Sequence, residues 1–258
     1  MSDVRLLALG QSGFVLDAFG TRLVIDPYLS DSVAETYGES LRRQIPIVRP
    51  PGDLTGVDWI LLSHAHLDHT DPATLRPLLR ASPGARFIAP YESRAIVEGL
   101  TAGGNELCVP PTNWLELGPE LAVRAIPAAH PELARNAAGE LRDVGYLLRC
   151  GTKTIYHAGD TSPDPALVEA LAGEMVDFAL LPINERNYYR DREGIIGNMS
   201  VREAFQLAAE IGARTLVPVH WDLFAPNRVY PEEVTALFDR ESLPFRLEFL
   251  AAGEEKQL

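Results

Sequence analysis

An α/β domain built on mixed sheets is the fold class this sequence predicts, and three observations predict it. Strand-length apolar runs recur along the chain, and two of them, "VDWILLS" from residue 57 and "VDFALLP" from residue 176, read as buried on both faces. Helical segments with start signals alternate with these runs. The chain also opens on three short runs separated by glycine-containing turns, the pattern of an antiparallel meander.

The opening runs are "VRLLALG", "GFVLDAF" and "TRLVIDP". A loop of about twenty residues should follow, with "RPPGD" near its end; loops that long often carry function. Beyond "VDWILLS", Asp71 and Pro72 predict an N-cap with proline at the first helical position, opening a helix over "ATLRPLLRA". Pro77 should kink or shorten that helix. Short strands resume at "ARFIAP", "ELCVP", "LAVRAIP", "VGYLLRC" and "KTIYHAGD". "DPALVEALAG" predicts a helix, and "VDFALLPIN" returns to buried strand. Ser200 and Glu203 form a capping box before "AFQLAAEIGA". After "RTLVPVH", a last helix near "PEEVTALFDR" precedes a closing strand, "FRLEFLA". No linker or low-complexity tract intervenes, so residues 1–258 read as one domain. The echo between "VDWILLS" and "VDFALLP" fits two strands of similar chemistry, and equally a duplicated half-domain.

The formal charge is −13, from 23 basic and 36 acidic side chains. Such a surface repels polyphosphate and anionic lipid at long range, so nucleic acid and membrane are poor partners and a small-molecule substrate is expected. A homo-oligomer is left open. The start, "MSDVRLLALG", lacks the basic and apolar regions of a secretory signal, and no apolar run approaches the ~18 residues that span a bilayer. Cys108 and Cys150 stand far apart without a Cys-x-x-Cys spacing, which favours reduced thiols and a cytoplasmic location.

The chemistry concentrates at "LLSHAHLDHTD". Three of the six histidines, His64, His66 and His69, lie here with Asp68 between the second and third. If the stretch leaves its strand in extended form, positions 64, 66 and 68 share one side, and His69 follows just before the helix cap. Two imidazoles then converge on one point while Asp68 and His69 face a second. Imidazole and carboxylate are suited to zinc, manganese or iron, so the cluster reads as a metal site.

His64-Ala65-His66-Leu67-Asp68-His69 resembles the H-x-H-x-D-H signature of the metallo-β-lactamase superfamily. His130 in "IPAAHPE", Asp160 in "HAGDTS" and His220 in "VPVHWD" occur in the order that family requires. The resemblance spans nearly the whole chain and implies a four-layer αβ/βα sandwich, two mixed sheets flanked by helices. It also implies two divalent metal ions, Zn or Mn or else Fe. His64, His66 and His130 would hold one, Asp68, His69 and His220 the other, and Asp160 would bridge them. His157, three residues before Asp160, is expected to be structural or to orient a ligand, and Asp26 in "LVIDP" to support the site or form a turn.

Two cations sharing a water lower its pKa to about 7, so the expected chemistry is hydrolysis of an ester-like or phosphoester-like bond. Asp68 is expected to act catalytically, orienting the water or taking its proton. Within the superfamily, "ALGQSGFVL", "LVIDPYLS" and "LPINERNYYRDREGIIGNMSVREAFQLAAEIGARTLVPVHWD" resemble the L-ascorbate-6-phosphate lactonase group. That likeness implies opening of a lactone or similar carboxylic ester, sugar-acid phosphates included. A phosphodiesterase on the same site is the alternative, and a non-catalytic metal-binding scaffold the third reading. Arg186, Tyr188, Tyr189 and Arg190, with Arg192, are candidates to meet an anionic or polar substrate. Because Glu185, Asp191 and Glu193 offset those arginines, a solvated loop is the other reading. Gln11 and Trp221 depart from the family, standing where relatives carry histidine.

Overall fold

The computed structural model describes residues 4–101 and 104–258; the first three residues of the stretch read above for a secretory signal lie outside the described residues. β1 (Val4–Gly10), β2 (Gly13–Ala18) and β3 (Thr21–Ile25) form the expected antiparallel meander. β4 (Trp59–Leu61), β5 (Arg86–Ile88) and β6 (Leu107–Cys108) extend the sheet in parallel. The second sheet repeats this plan. β7 (Leu115–Gly118), β8 (Leu121–Pro127), β9 (Val144–Cys150) and β10 (Lys153–His157) are antiparallel. β11 (Phe178–Pro182), β12 (Thr215–Val219) and β13 (Arg246–Leu247) then run parallel to β10. Finally β14 (Glu255–Gln257) returns to pair with β1, giving seven strands in each sheet.

Helices cover both outer faces. α1 (Ser32–Tyr37) lies in the long connection between β3 and β4. α2 (Pro72–Ala81) and α3 (Tyr91–Thr101) bury Leu75, Leu78 and Val97 against Val24, Ile60 and Phe87 of the first sheet. α4 (Pro165–Leu171), α5 (Tyr188–Arg192), α6 (Val201–Glu210) and α7 (Pro231–Phe238) belong to the second half. Of these, α4, α6 and α7 place Leu167, Phe205, Leu207 and Val234 against Leu147, Tyr156 and Leu181. Between the sheets, alternate residues such as Leu16, Leu23, Leu61, Val123, Tyr146, Leu148 and Val217 form the central core. Helix, sheet, sheet, helix is the four-layer arrangement the resemblance implies.

The helix starts are set by the residues expected to set them. Asp71 accepts hydrogen bonds from Ala73 N and Thr74 N, and the Ser200–Glu203 capping box is closed in both directions. α2 runs through Pro77 to Ala81, so that proline does not shorten it. The long connection is not structureless, since it carries α1 and two 3₁₀ turns. Besides α1 and α5, three elements escape sequence reading. α3 buries only Ser93 and Val97 along "YESRAIVEGLT", too faint a stripe to announce a helix. β7 is a short strand with a bulge, and β14, "EKQ", is an all-polar edge strand held by pairing to β1. The closing strand expected over "FRLEFLA" shrinks to Arg246–Leu247, because only these two residues pair with β12.

β1, β3 and β4 point the same way in the first sheet, as do β8, β10, β11 and β12 in the second. The connections leaving the carboxyl ends of β1, β3, β4, β8, β10 and β12 carry Gln11, Asp26 and the seven residues of the cluster described next, the place where ligands gather in sheets of this kind.

Candidate metal centre

The chain leaves β4 in extended form only as far as His64. From His66 it turns, with His69 N and Thr70 N both donating to His66 O at 3.0 and 2.8 Å. The extended alternation expected for positions 64, 66 and 68 is therefore corrected: a helical turn brings Asp68 and His69 to the cluster. His130 follows β8, Asp160 follows β10 and His220 follows β12. All seven expected ligands meet.

They form two linked groups. His64 Nε2 lies 3.0 Å and His130 Nε2 3.2 Å from His66 Nδ1, three imidazole nitrogens converging. In the second group, His220 Nε2 lies 3.4 Å and His69 Nε2 3.7 Å from Asp68 Oδ2. Asp160 touches both groups. Its carboxylate is 3.4 Å from His69, 3.6 Å from His130 and 3.2 Å from His220.

Asp26 organises the first sheet's contribution. Its Oδ1 accepts from Ser63 N at 2.7 Å, and its Oδ2 accepts from Ser63 Oγ at 2.5 Å and from His69 Nδ1 at 2.8 Å. With its hydroxyl proton given to Asp26, Ser63 Oγ accepts from His64 Nδ1 at 2.9 Å. Both hydrogen-bond chains assign the ring proton to Nδ1, leaving Nε2 of His64 and of His69 to face the cluster. Asp26 thus plays the supporting part expected of it. His157 is structural: its Nε2 meets Ser12 O at 2.7 Å and its Nδ1 accepts from Gly159 N at 3.2 Å.

Gln11, a departure from the family in sequence, lies inside the site. Its Nε2 donates to Asp68 Oδ2 at 2.6 Å and lies 2.9 Å from His220 Nε2. Its backbone accepts from His220 N at 3.0 Å. An amide has no place in a ligand motif, so sequence alone gave no signal beyond its position at a turn. Gln11, Asp26 and His220 all hold positive φ, at 57°, 42° and 61°, a costly backbone state for residues with a Cβ. Such strain gathers at functional sites.

Electrostatics separate the two groups. Burial lowers the pKa of His64 and His66 and takes His130 down to about 4, so these rings are neutral with lone pairs available. Burial also opposes charge on His69 and His220, but carboxylates outweigh it. Asp160, Asp68 and Asp26 lift His69 to about 9, and Asp160 with Asp68 lifts His220 to about 10. Conversely, burial would raise Asp68 and Asp160, yet His69 and His220 hold both carboxyls below their usual range.

The donor set fits divalent metal. Three triplets, His64/His66/His130, His64/His69/Asp160 and Asp68/His69/His220, each offer ligand atoms within 4.8 Å of one another. His69 Nε2 and Asp160 Oδ1 are buried without a hydrogen-bond partner, the condition of groups waiting for a cation. All-nitrogen-and-oxygen ligation suits zinc, manganese or iron.

A cavity of about 430 Å³ opens above the cluster. His66, Asp68, Asp160 and His220 form its floor, and its walls include Val33, Leu41, Leu67, Ile195, Ile196 and Phe224. Arg186, Tyr188, Tyr189 and Arg190, expected to meet substrate, are not among its lining residues. Arg186 pairs with Glu203 at 2.7 Å, and Arg190 Nε donates to Pro226 O at 2.9 Å. Tyr188 and Tyr189 are 66% and 75% exposed. The short helix α5 turns these four away and delivers the next residues, Glu193 to Ile196, to the cavity. Trp221 likewise points elsewhere, its Nε1 donating to Pro218 O at 3.1 Å and its ring edge-on to Phe249.

Known proteins place this geometry. A family model described as "Beta-lactamase superfamily domain" matches residues 21–221. The chain is 28% identical over 262 residues to a UPF0173 metal-dependent hydrolase of Pyrococcus abyssi, covering 99% of this chain and 100% of that one. A second, from Caldivirga maquilingensis, is 28% identical over 254 residues, covering 95% and 94%. Among solved structures, the isothiocyanate hydrolase from Delia radicum gut bacteria is similar with a TM-score of 0.76 at 19% identity, covering 98% of each chain. Igni18, a metallo hydrolase from Ignicoccus hospitalis, is similar with a TM-score of 0.70 at 22% identity, covering 98% and 97%.

Proposed function

The chain belongs to the metallo-β-lactamase superfamily, and on that footing we propose that it is a metal-dependent hydrolase opening a lactone or similar carboxylic ester. One observation carries this reading: the Asp160 carboxylate lies between 3.2 and 3.6 Å from His69, His130 and His220, linking two ligand groups into one centre. His64, His66 and His130 would hold one divalent ion and Asp68, His69 and His220 the other, with Asp160 shared. When bound, the pair supplies Lewis acidity and a water acidified to a pKa of about 7.

The chain's own residues then order the reaction. Asp26, directly and through Ser63, holds the Nδ1 proton of His69 and of His64, so that Nε2 is the atom each ring would offer to a cation. Gln11 Nε2 grips Asp68 Oδ2 and fixes the carboxylate's direction. Asp68 opens to the cavity at 17% side-chain exposure, and its depressed pKa keeps it ionised at neutral pH. A carboxylate so weakly basic serves by accepting a hydrogen bond from the attacking water and aligning it, rather than by retaining its proton. Water adds to the acyl carbon, the acyl–oxygen bond breaks, and the released oxygen ends as a hydroxyl.

We place the reaction in the cytoplasm, a setting compatible with the separate thiols Cys108 and Cys150. Among the described residues no helix is long and apolar enough to cross a membrane. The test combines elemental analysis of protein purified without chelator with a panel of lactones and bis(p-nitrophenyl) phosphate. Metal near two equivalents and lactone turnover are expected; turnover of the phosphodiester alone would move the assignment to that chemistry. Chelation should lower the melting temperature, and metal restored at about a hundredfold its Kd should return about 2.7 kcal/mol of stability per occupied site.

A further inference from the structure

We propose that the cavity above the cluster selects an uncharged substrate bearing an apolar alkyl or acyl chain, and disfavours phosphorylated sugar acids. This rests on the hydrolase reading for the bond that is broken, but the choice of substrate comes from the walls. Val33, Leu41, Leu67, Ile195, Ile196 and Phe224 enclose the space above the floor. At about 430 Å³ it is of the size that buries small molecules. Among the described residues no lysine or arginine lines it, and apart from the residues that would hold metal the one charged side chain in its lining is Glu193, of the sign that repels an anion.

Four arginines of the flanking segments are already committed, and Arg192, beside Glu193, lies 5.6 Å over the Tyr188 ring. Arg43 donates through Nη1 to Tyr28 O and Ser30 O, both at 3.2 Å, and through Nε to Ile45 O at 2.9 Å. Arg42 chelates Glu39 with two bonds of 2.6 Å. Arg186 and Arg190, described above, are held by Glu203 and by the carbonyls of Pro226 and Glu185. A phosphate in this cavity would lose water and gain no cation from the walls, a costly exchange. The chain's −13 charge adds long-range repulsion. An alkyl chain gains from the same walls by leaving water. The neutral polar side chains of the lining, Tyr37, Ser40 and Asn227, suit a hydroxyl or amide on such a substrate; Asn227 is 5% exposed and its Oδ1 has no hydrogen-bond partner.

Two measurements on the holoenzyme test this separately from the hydrolase reading. The first compares kcat/KM for γ-butyrolactone, γ-hexalactone and γ-decalactone with 6-phosphogluconolactone. A rise approaching fourfold per added methylene until the cavity fills is expected, with the phosphorylated lactone at least tenfold poorer than γ-decalactone. The second needs no turnover: calorimetric binding of acetamide, hexanamide and octanamide against glucose 6-phosphate. Affinity should climb along the amides, and Ile196→Arg should weaken octanamide and strengthen glucose 6-phosphate. Amides binding in that order while no lactone is hydrolysed would sink the hydrolase reading and leave the cavity proposal standing. Amide affinity indifferent to chain length, or tighter binding of glucose 6-phosphate by the unsubstituted protein, would overturn the proposal whatever the enzyme hydrolyses. Should Ile196→Arg fail to fold, the amide series on the unsubstituted protein decides.

Discussion

The two sheets share one plan but load the site in different ways. Each is an antiparallel run of four strands continued by parallel ones, and the echoing segments of sequence become β4 and β11, each fifth in its sheet counting from β14 and β7. Residues just past corresponding strands can be paired: Gln11 after β1 with His130 after β8, and Asp26 after β3 with Asp160 after β10. In the second sheet these positions carry proposed ligands. In the first they carry the groups that hold proposed ligands in place, and those ligands come from a single turn after β4. One half of the centre is therefore a local device whose tautomers Asp26 sets. The other is assembled by strand register, each ligand from a different strand. Damage to the two halves should differ accordingly.

The largest effect is expected where the halves join. Asp160→Asn removes a carboxylate oxygen from the group that touches His69, His130 and His220 together. Turnover should become undetectable and metal content should fall at both positions, with the circular dichroism spectrum retained. Near-normal kcat in this variant after metal loading would separate the centre from the activity altogether.

Next comes the contact that sets the distance between the halves. Gly159 holds φ at 61°, and a Cβ there would lie 2.7 Å from Ser63 Cβ and 2.9 Å from Val144 O. Its neighbour in sequence is Asp160, and that of Ser63 is His64, so the two ligand loops meet through this glycine. Gly159→Ala should cost roughly 2–4 kcal/mol by overpacking and backbone strain, and should weaken metal binding as the loops part. Denaturant titration with metal analysis reads both effects. A variant as stable as its parent would mean that the loops can separate freely.

Asp26→Asn probes the local device alone. Ser63 N must still face the amide oxygen, which leaves the amide nitrogen opposite Ser63 Oγ and His69 Nδ1. His69 would then carry its proton on Nε2, toward the metal. Loss of an orienting partner of this kind costs about 10–100-fold in metal affinity. The loss should reach Asp68/His69/His220 through His69 and His64/His66/His130 through Ser63 and His64; affinity unchanged at both positions in metal titration would show that Asp26 does not set these tautomers.

The same division explains what the sequence made legible. Four ligands in one turn form a dense, ordered motif, and His64 to His69 declare the centre unaided. His130, Asp160 and His220 are single residues at strand ends; they acquire meaning only beside the motif, through a resemblance that fixes their order. Gln11 could not be read, since its role depends on a backbone bend that brings β1 to β12 across the sandwich. The Arg/Tyr segment misled because charge and aromatic content look alike in a binding loop and on a solvated helix. One turn of α5 decides between them, sending Tyr188 and Tyr189 outward and Ile195 and Ile196 inward. Among the scaffold elements, α2, α4 and α6 carry caps and could be placed. β14 has no apolar pattern and exists only because β1 offers an unpaired edge.

The smallest effect should come from a bond that spans the sheets near the site without touching it. Tyr146 of β9 is fully buried, and its hydroxyl lies 2.7 Å from Leu62 O, just beyond β4, and 3.1 Å from Ile88 O at the end of β5. Tyr146→Phe deletes the donor and leaves Leu62 O short of a partner, while Ile88 O keeps its bond from Leu62 N at 3.0 Å, at a cost of about 1–2 kcal/mol. The ring still fills its place in the core, and Val144 N still donates to Ser63 O at 3.0 Å, so the β4 turn keeps its anchor to the second sheet. Global stability should drop while metal content and kcat hold. If metal were lost along with stability, the β4 turn would depend on the opposite sheet as much as His130, Asp160 and His220 do, and the local device would not be local.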